Sequence, residues 1–166
     1  MGRGYTQYSY TDIDIPDECV IHSAFLVYSL EDGAQIRLKQ ADYFCPTCNG
    51  FVVGELIESV AEIENEIDQI QNHPDSVERL MAEWSGDISG RIAELRLRIE
   101  WRRKRQSPPK CLHCGSSEIL PIPREEEFYH PVSDQPMKVS KRGFLSMNEW
   151  YATYTPEGDL IESWDE

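Results

Sequence analysis

The sequence predicts an α+β fold in which an antiparallel, coiled-coil-like helical hairpin is inserted into a β-rich domain, with a β-hairpin at the C-terminus. Three observations predict it. Two C-x-x-C pairs stand far apart in the chain, a hydrophobic repeat of about three and a half residues fills the segment between them, and apolar runs bounded by turn residues flank them. We expect residues 1–53 and 107–166 to form the β-rich domain and residues 54–106 to form an inserted helical arm.

Composition narrows the class of protein. The 166 residues include 30 acidic and 16 basic side chains, for a formal net charge of −14, and 40% are hydrophobic. This length and apolar content are typical of one domain, or of one compact domain with an arm. The acidic balance argues against a general nucleic-acid coat protein, which needs positive charge to bind phosphates. The start lacks the apolar segment of a secretory signal, and no run approaches the roughly 18 apolar residues of a membrane span, so we expect a cytoplasmic protein.

Two strands are predicted before the first cysteine pair, at residues 19–30 and 35–44. They are separated by Glu31-Asp32-Gly33, and Asp-Gly between apolar runs is a strong hairpin signal. The second strand leads directly into Cys45. Cys19 lies on the first strand, where we expect it to be a small buried apolar residue.

The two C-x-x-C pairs, C-P-T-C and C-L-H-C, have the spacing of metal ligands. They consist of Cys45 and Cys48, and of Cys111 and Cys114. Thiolates at this spacing can reach one tetrahedral ion, and two such pairs complete a closed four-sulfur site. Asn49-Gly50 and Gly115 follow the pairs and tolerate the positive φ that a tight turn requires. Disulfides are disfavoured because a reducing compartment keeps thiols free.

At C-P-T-C-N-G and K-C-L-H-C-G-S the sequence resembles the paired knuckles of the zinc-ribbon and rubredoxin-like superfamily. The resemblance implies one structural Zn²⁺, or iron as in rubredoxins, held at the end of a small β-sheet by Cys45, Cys48, Cys111 and Cys114. Zinc is the expected ion, because closed four-sulfur sites outside electron-transfer proteins usually hold zinc. The segment between the pairs is much longer than the loop of a simple ribbon.

The inserted segment has helical periodicity. Apolar residues on the first predicted helix, at residues 54–71, are spaced by four and three: Leu56, Val60, Ile63, Ile67 and Ile70. Pro74 ends this helix, and Asp75 with Glu78 starts a second one. The second apolar seam comprises Val77, Met81, Trp84, Ile88, Ile92, Leu95 and Ile99. Gly86 and Gly90 leave open either a kink or a break into two helices.

Charge also favours an antiparallel arrangement of the two helices. Residues 54–71 carry six acidic and no basic side chains, whereas residues 91–110 carry eight basic side chains and two acidic ones. The cations at the end of the insertion are Arg96, Arg98, Arg102, Arg103, Lys104, Arg105 and Lys110. They are interpreted either as a nucleic-acid patch, with Trp101 available for stacking, or as a helix end neutralised by its acidic neighbour, and the net charge favours the second interpretation.

The C-terminal hairpin is predicted to turn at residues 156–159, and residues 143–166 carry six acidic and no basic side chains. This acidic hairpin is interpreted either as a docking surface or as an ordinary solvated hairpin.

No recognisable catalytic motif is present, and the four histidines, His22, His73, His113 and His130, are scattered along the chain. A closed four-sulfur site also lacks an open coordination position for water or substrate. We therefore expect a non-enzymatic interaction or adaptor protein, in which a structural zinc positions the projecting helical hairpin for contacts with a protein partner. The alternatives are a nucleic-acid-associated zinc-ribbon protein that uses residues 96–110 and, less favoured, an iron-containing electron carrier.

Overall fold

The computed structural model of the protein describes residues 2–22, 25–146 and 150–165. Five strands precede the helices: β1 (Gly2–Tyr10), β2 (Glu18–Ile21), β3 (Phe25–Ser29), β4 (Gln35–Cys45) and β5 (Gly50–Leu56). Three helices follow: α1 (Val60–Asn72), α2 (Val77–Ser85) and α3 (Ile88–Lys104). The chain ends in β6 (Leu120–Pro121), β7 (Glu127–Tyr129), β8 (Pro136–Ser146), β9 (Trp150–Tyr154) and β10 (Leu160–Asp165).

The described strands form two sheets. One has four strands in the order β2-β1-β8-β7, and the other has six, in the order β10-β9-β3-β4-β5 with β6 paired to β4. Strand β3 pairs with β4 in antiparallel register across the predicted Asp32-Gly33 turn, where Gly33 has φ 83°. On its other edge β3 pairs with β9 in parallel. The C-terminal strands are therefore part of the larger sheet, with β10 at its edge.

Three groups of buried side chains hold the sheets and helices together. The first lies between the two sheets and includes Tyr8 of β1, Phe51 of β5 and Met137 of β8. The second packs Trp101 of α3 against the larger sheet, including Tyr28 of β3. The third is the common core of the three helices. Helix α3 thus makes apolar contacts with the sheet on one side and with α1 and α2 on the other.

The predicted fold class, a β-rich ribbon carrying an antiparallel helical hairpin, is wrong. The structure is a mixed α/β fold, rich in sheet, with three short helices in place of a two-helix coiled coil. The predicted second helix is divided because Gly86 adopts a left-handed conformation with φ 75° and ends α2. Asp87 then begins α3 by accepting a hydrogen bond from the amide of Gly90 at 2.9 Å. A glycine C-cap followed by an aspartate N-cap stops one helix and starts another.

The predicted apolar seam also fails at α2. Ile88, Ile92, Leu95 and Ile99 of α3 do pack with Ile63, Ile67 and Ile70 of α1, but α2 contributes Ala82 to that core. Met81 and Trp84, which the heptad pattern places in the seam, are exposed to solvent. The division into domains 1–53 with 107–166 and 54–106 stays a prediction.

Candidate metal centre

The first cysteine pair occupies the turn between β4 and β5. Cys45 is the last residue of β4 and lies opposite Gly50, the first residue of β5. Between them the chain reverses through Asn49, which has φ 53°. The amide of Cys48 points at Sγ of Cys45 at 3.4 Å. The left-handed residue therefore follows the second cysteine, as the sequence Asn49-Gly50 predicts.

The second pair forms a similar turn that lies beside β5. Cys111 makes an isolated β-bridge with Gly54, and the amide of Leu112 donates to the carbonyl of Val53 at 3.0 Å. Gly115 has φ 77°, and the amide of His113 points at Sγ of Cys111 at 3.4 Å. Pairing with β5 carries the second turn to the same end of the sheet as the first.

The four sulfur atoms have the spacing of a tetrahedral site. All four Sγ atoms lie within 4.8 Å of one another. Sγ of Cys45 is 3.6 Å from that of Cys114, and Sγ of Cys48 is 3.9 Å from that of Cys111. Ligands at about 2.3 Å from a tetrahedral Zn²⁺ stand about 3.8 Å apart, so a small contraction of the longer distances places all four on one ion. These separations also exceed the ~2.05 Å of a disulfide, and all five cysteines are free thiols.

Burial and mutual contact oppose ionisation of two of the thiols. Cys45 and Cys111 are buried, Cys48 is half-buried and Cys114 is exposed. Burial is the main cause that raises the pKa of Cys48, and hydrogen bonds among the cysteines raise it further. Burial also raises the pKa of Cys111. The backbone of Ser116 lowers the pKa of Cys114 through a hydrogen bond. A cation in the middle of the cluster would offset the repulsion among four thiolates.

The structure brings together all four cysteines that the sequence predicts as ligands, and this cluster could hold one metal ion. Cys19 is not part of it. The prediction that Cys19 is buried is wrong, because Val20 takes the inward side of β2 and strand alternation turns Cys19 outward.

The chain has no match in three comparisons. It matches none of the protein-family models, curated proteins or solved structures with which it was compared. Within residues 2–22, 25–146 and 150–165, no helix is both long and apolar enough to cross a membrane.

The predicted basic segment is engaged in the fold only in part, because Arg96, Arg103 and Lys104 are exposed. Arg98 is buried and bonds to Glu58 at 3.1 Å and to Glu94 at 2.8 Å. On the surface Arg103 lies 3.8 Å from Glu64, and Nζ of Lys110 lies 2.9 Å from a carboxylate oxygen of Asp159. Arg102 donates to the carbonyl of Glu58 at 3.0 Å.

Arg105 takes part in an ion pair that the sequence analysis missed. Its side chain and that of Glu55 are both fully buried, and two guanidinium nitrogens donate to the two carboxylate oxygens at 2.8 and 3.0 Å. Tyr28 donates its hydroxyl to the same carboxylate, as does the amide of Lys110 at 2.9 Å. The two partners are fifty residues apart in the chain, and no local pattern marks either of them as buried.

The turn before β10 covers this ion pair. Gly158 has φ 87°, and a Cβ atom at this position would lie 2.9 Å from both carboxylate oxygens of Glu55. Arg105 also donates to the carbonyl of Pro156 at 3.3 Å, and Nε1 of Trp101 donates to the same oxygen at 2.8 Å. The end of α3, strand β5 and the C-terminal turn therefore meet at one charged point from which water is excluded. The end of α3 also stands shortly before Cys111 in the sequence.

His22 belongs to a hydrogen-bonded trio of side chains. Nε2 of His22 lies 2.8 Å from a carboxylate oxygen of Asp42, and the hydroxyl of Tyr8 donates to the other oxygen. Burial raises the pKa of Tyr8, which keeps this hydroxyl a donor. The three side chains line a cavity of about 320 Å³ that also contains Arg124 and Arg142. The side-chain bonds of Tyr8 and His22 both go to the carboxylate of Asp42, which indicates a structural role.

His130 is buried as a neutral ring. Nδ1 accepts hydrogen bonds from the amides of Val132 and Ser133, each at 3.1 Å, so it cannot bind a proton without breaking both. Burial lowers the pKa of His130 below its ordinary value of 6.5. The carboxylate of Glu18 raises the same pKa, but with a smaller effect.

We expect this burial to make stability depend on pH. Above pH 6.5 the ring is neutral in both states, and its contribution to stability is fully present. As the pH falls below 6.5 the unfolded chain takes up the proton first, so the free energy of unfolding decreases. In the His130→Asn variant, Oδ1 can accept from the same two amides but cannot titrate. Urea unfolding at about pH 7.5 and about pH 5.5 should therefore show a smaller loss for His130→Asn than for wild type. Equal losses would contradict the assignment.

Proposed function

We propose that this chain is a non-enzymatic interaction protein in which Cys45, Cys48, Cys111 and Cys114 hold one structural Zn²⁺, as in the knuckles of the zinc-ribbon and rubredoxin-like superfamily. The observation that supports it is the spacing of the four sulfur atoms, which matches a tetrahedral thiolate site and is reached from two similar turns. Four protein sulfurs fill the coordination shell, so the ion has no open position at which to activate water or a substrate.

A metal held there would connect parts of the chain that are distant in sequence. The first knuckle belongs to the β4–β5 turn, and the second follows the last helix. One ion bound to both would tie the exit of the helical layer to the sheet from which the helices start. The backbone bonds of Leu112 and Lys110 to β5, on either side of the Gly54–Cys111 bridge, already align the second knuckle, so the ion binds to a site that the strands pre-order.

A protein partner is favoured over nucleic acid by the state of the cations. Arg98 and Arg105 are buried in ion pairs, and Arg103 and Lys110 face carboxylates. Among the described residues of the segment, this leaves Arg96 and Lys104 as the exposed cations without such a carboxylate contact. Phosphate binding needs cations that are accessible and unneutralised, and the chain as a whole carries a net charge of −14. Steeply salt-dependent binding to nucleic acid that is lost in Arg103→Ala with Lys104→Ala would reverse this preference.

Metal analysis of the purified, reduced and unchelated protein tests the proposal. We expect one Zn²⁺ per chain in wild type and in Cys19→Ser, and loss of the ion in Cys48→Ser and Cys114→Ser. Cys19→Ser is the matched control, because it makes the same change at an exposed thiol outside the cluster. Replacement of the ion by Co²⁺ should produce the visible spectrum of a tetrahedral thiolate site. Protein without a bound transition ion, or equal loss in Cys19→Ser, would overturn the proposal, and visible absorption as isolated would indicate iron.

A further inference from the structure

Helix α2 turns its apolar side toward solvent. Val77, Leu80, Met81 and Trp84, which we call the α2 stripe, are spaced by three and four residues and therefore share one face. Trp84 is 88% exposed, and the other three are between 53 and 69% exposed. Four large apolar side chains side by side on a nine-residue helix form a continuous exposed patch, which is a common mark of an interaction site.

The helix is held in place from its opposite side, without help from the stripe. Ala82 is buried against α1 and α3, and Arg79 donates to the carbonyl of Ile70 at 2.9 Å. Ser76 caps the N-terminus by accepting from the amide of Arg79 at 3.1 Å, and Gly86 ends the helix in a left-handed conformation. Because α2 is anchored and capped at both ends, the stripe is presented on a preformed helix, which lowers the entropy cost of binding.

Carboxylates border the stripe. Glu78 and Glu83 are exposed on the same helix, and Glu83 and Asp87 line a cleft of about 370 Å³ at the junction of α2 and α3. Arg79, the basic residue of α2, is bonded to Glu83 at 2.7 Å and to the carbonyl of Ile70. This ion pair is neutral, so the exposed Glu78 and Asp87 supply the negative charge beside the stripe. The surroundings of the apolar patch are therefore acidic, which selects for a partner with cations around an apolar surface.

We propose that the α2 stripe binds a basic amphipathic helix of a protein partner, with the apolar side of that helix on Met81 and Trp84 and its Lys or Arg side chains at Glu78 and Asp87. This inference deepens the proposed function as an interaction protein and rests on it. A second copy of the chain is disfavoured because it would bring two sets of these carboxylates together. Anionic membranes are disfavoured for the same reason.

The direct test uses a synthetic amphipathic helix of Leu and Lys as the probe, and the same peptide with Glu in place of Lys. We expect the Leu/Lys peptide, followed by fluorescence anisotropy at about 150 mM salt, to bind wild type and the Leu/Glu peptide not to bind. Trp84→Gln and Met81→Gln should each weaken binding at least about tenfold. Phe144→Gln is the matched control, because Phe144 is an equally exposed aromatic residue (82%) on β8, and its binding should equal that of wild type.

Several results would overturn the inference. Equal weakening in Phe144→Gln, or unchanged binding in Trp84→Gln, would show attraction by the net charge alone. Self-association in sedimentation that Trp84→Gln removes would assign the stripe to a second copy. Binding to phosphatidylcholine–phosphatidylserine vesicles that requires Trp84 would assign it to a membrane. Metal content, measured on the same variants, should be unchanged, so failure of the stripe and failure of the metal proposal give different results.

Discussion

Cys45→Ser is expected to abolish metal binding and to lower the free energy of unfolding by about 4 kcal/mol or more. This is the stability that a bound ion adds when its free concentration is about a thousand times its Kd. Cys45 is fully buried at the end of β4, and its Sγ is 3.6 Å from that of Cys114 on the other knuckle. Replacing it removes one of four thiolate ligands, and the neutral hydroxyl of serine does not substitute for a thiolate at a structural zinc site.

Urea unfolding with and without a chelator measures this effect. Chelation should lower the stability of wild type to nearly that of Cys45→Ser and should leave the variant unchanged, because the variant has no ion to lose. Cys19→Ser should stay within about 0.5 kcal/mol of wild type and keep its response to the chelator, since Cys19 is exposed and outside the cluster. A wild type that is equally stable with and without chelator would argue against a structural ion.

Loss of the buried ion pair is the second large effect that we expect. Arg105→Met leaves the carboxylate of Glu55 buried without its cation, and Glu55→Gln leaves the guanidinium without its buried anion, with the half-exposed carboxylate of Glu157 3.9 Å from Nε. Breaking a buried pair from one side costs about 3–5 kcal/mol. The double variant Glu55→Leu with Arg105→Met removes both charges, and we expect it to be more stable than the sum of the single losses implies.

A surface pair provides the matched control for this double-mutant cycle. Arg103 and Glu64 are 3.8 Å apart and both mostly exposed, so Arg103→Met should change the free energy of unfolding by less than about 1 kcal/mol. If Arg105→Met costs no more than Arg103→Met, the network of Glu55, Arg105 and Tyr28 does not stabilise the fold. Arg105→Met should also loosen the C-terminal turn, because Pro156 accepts from Arg105. Faster amide exchange at Gly158 would report that loosening.

The prediction of the metal cluster and the prediction of the helical seam depended to different degrees on contacts with the rest of the fold. Ligand spacing and the turn residues Asn49 and Gly115 are local features, and they identified four cysteines that the fold does bring together. The heptad pattern identified residues that share a helix face, and it does so correctly for α3. A heptad pattern does not determine which element of the fold covers that helix face. In the described structure the face that contains Trp84 is exposed to solvent.

The fate of each cation in the basic segment depends on the same kind of context. Arg103 and Arg105 are two residues apart and chemically identical, yet one side chain is mostly exposed and the other is fully buried. The difference arises from Glu55 on β5 and from the turn at Gly158, which are brought to Arg105 by the sheet. Glu55, Arg105 and His130 had no sequence signal that separates them from surface residues of the same type.

Adjacent residues alone determined the cysteine turns and the Asp32-Gly33 reversal between β3 and β4. The break at Gly86-Asp87, which the sequence offered as one of two alternatives, is also a local feature. A few neighbouring φ angles and caps decide such features. Only the tertiary structure decided that β1 pairs with β8, that β9 runs parallel to β3, that Arg105 is buried and that the α2 stripe faces outward. These outcomes depend on contacts between segments far apart in the chain, and their free energies are gained when those segments meet.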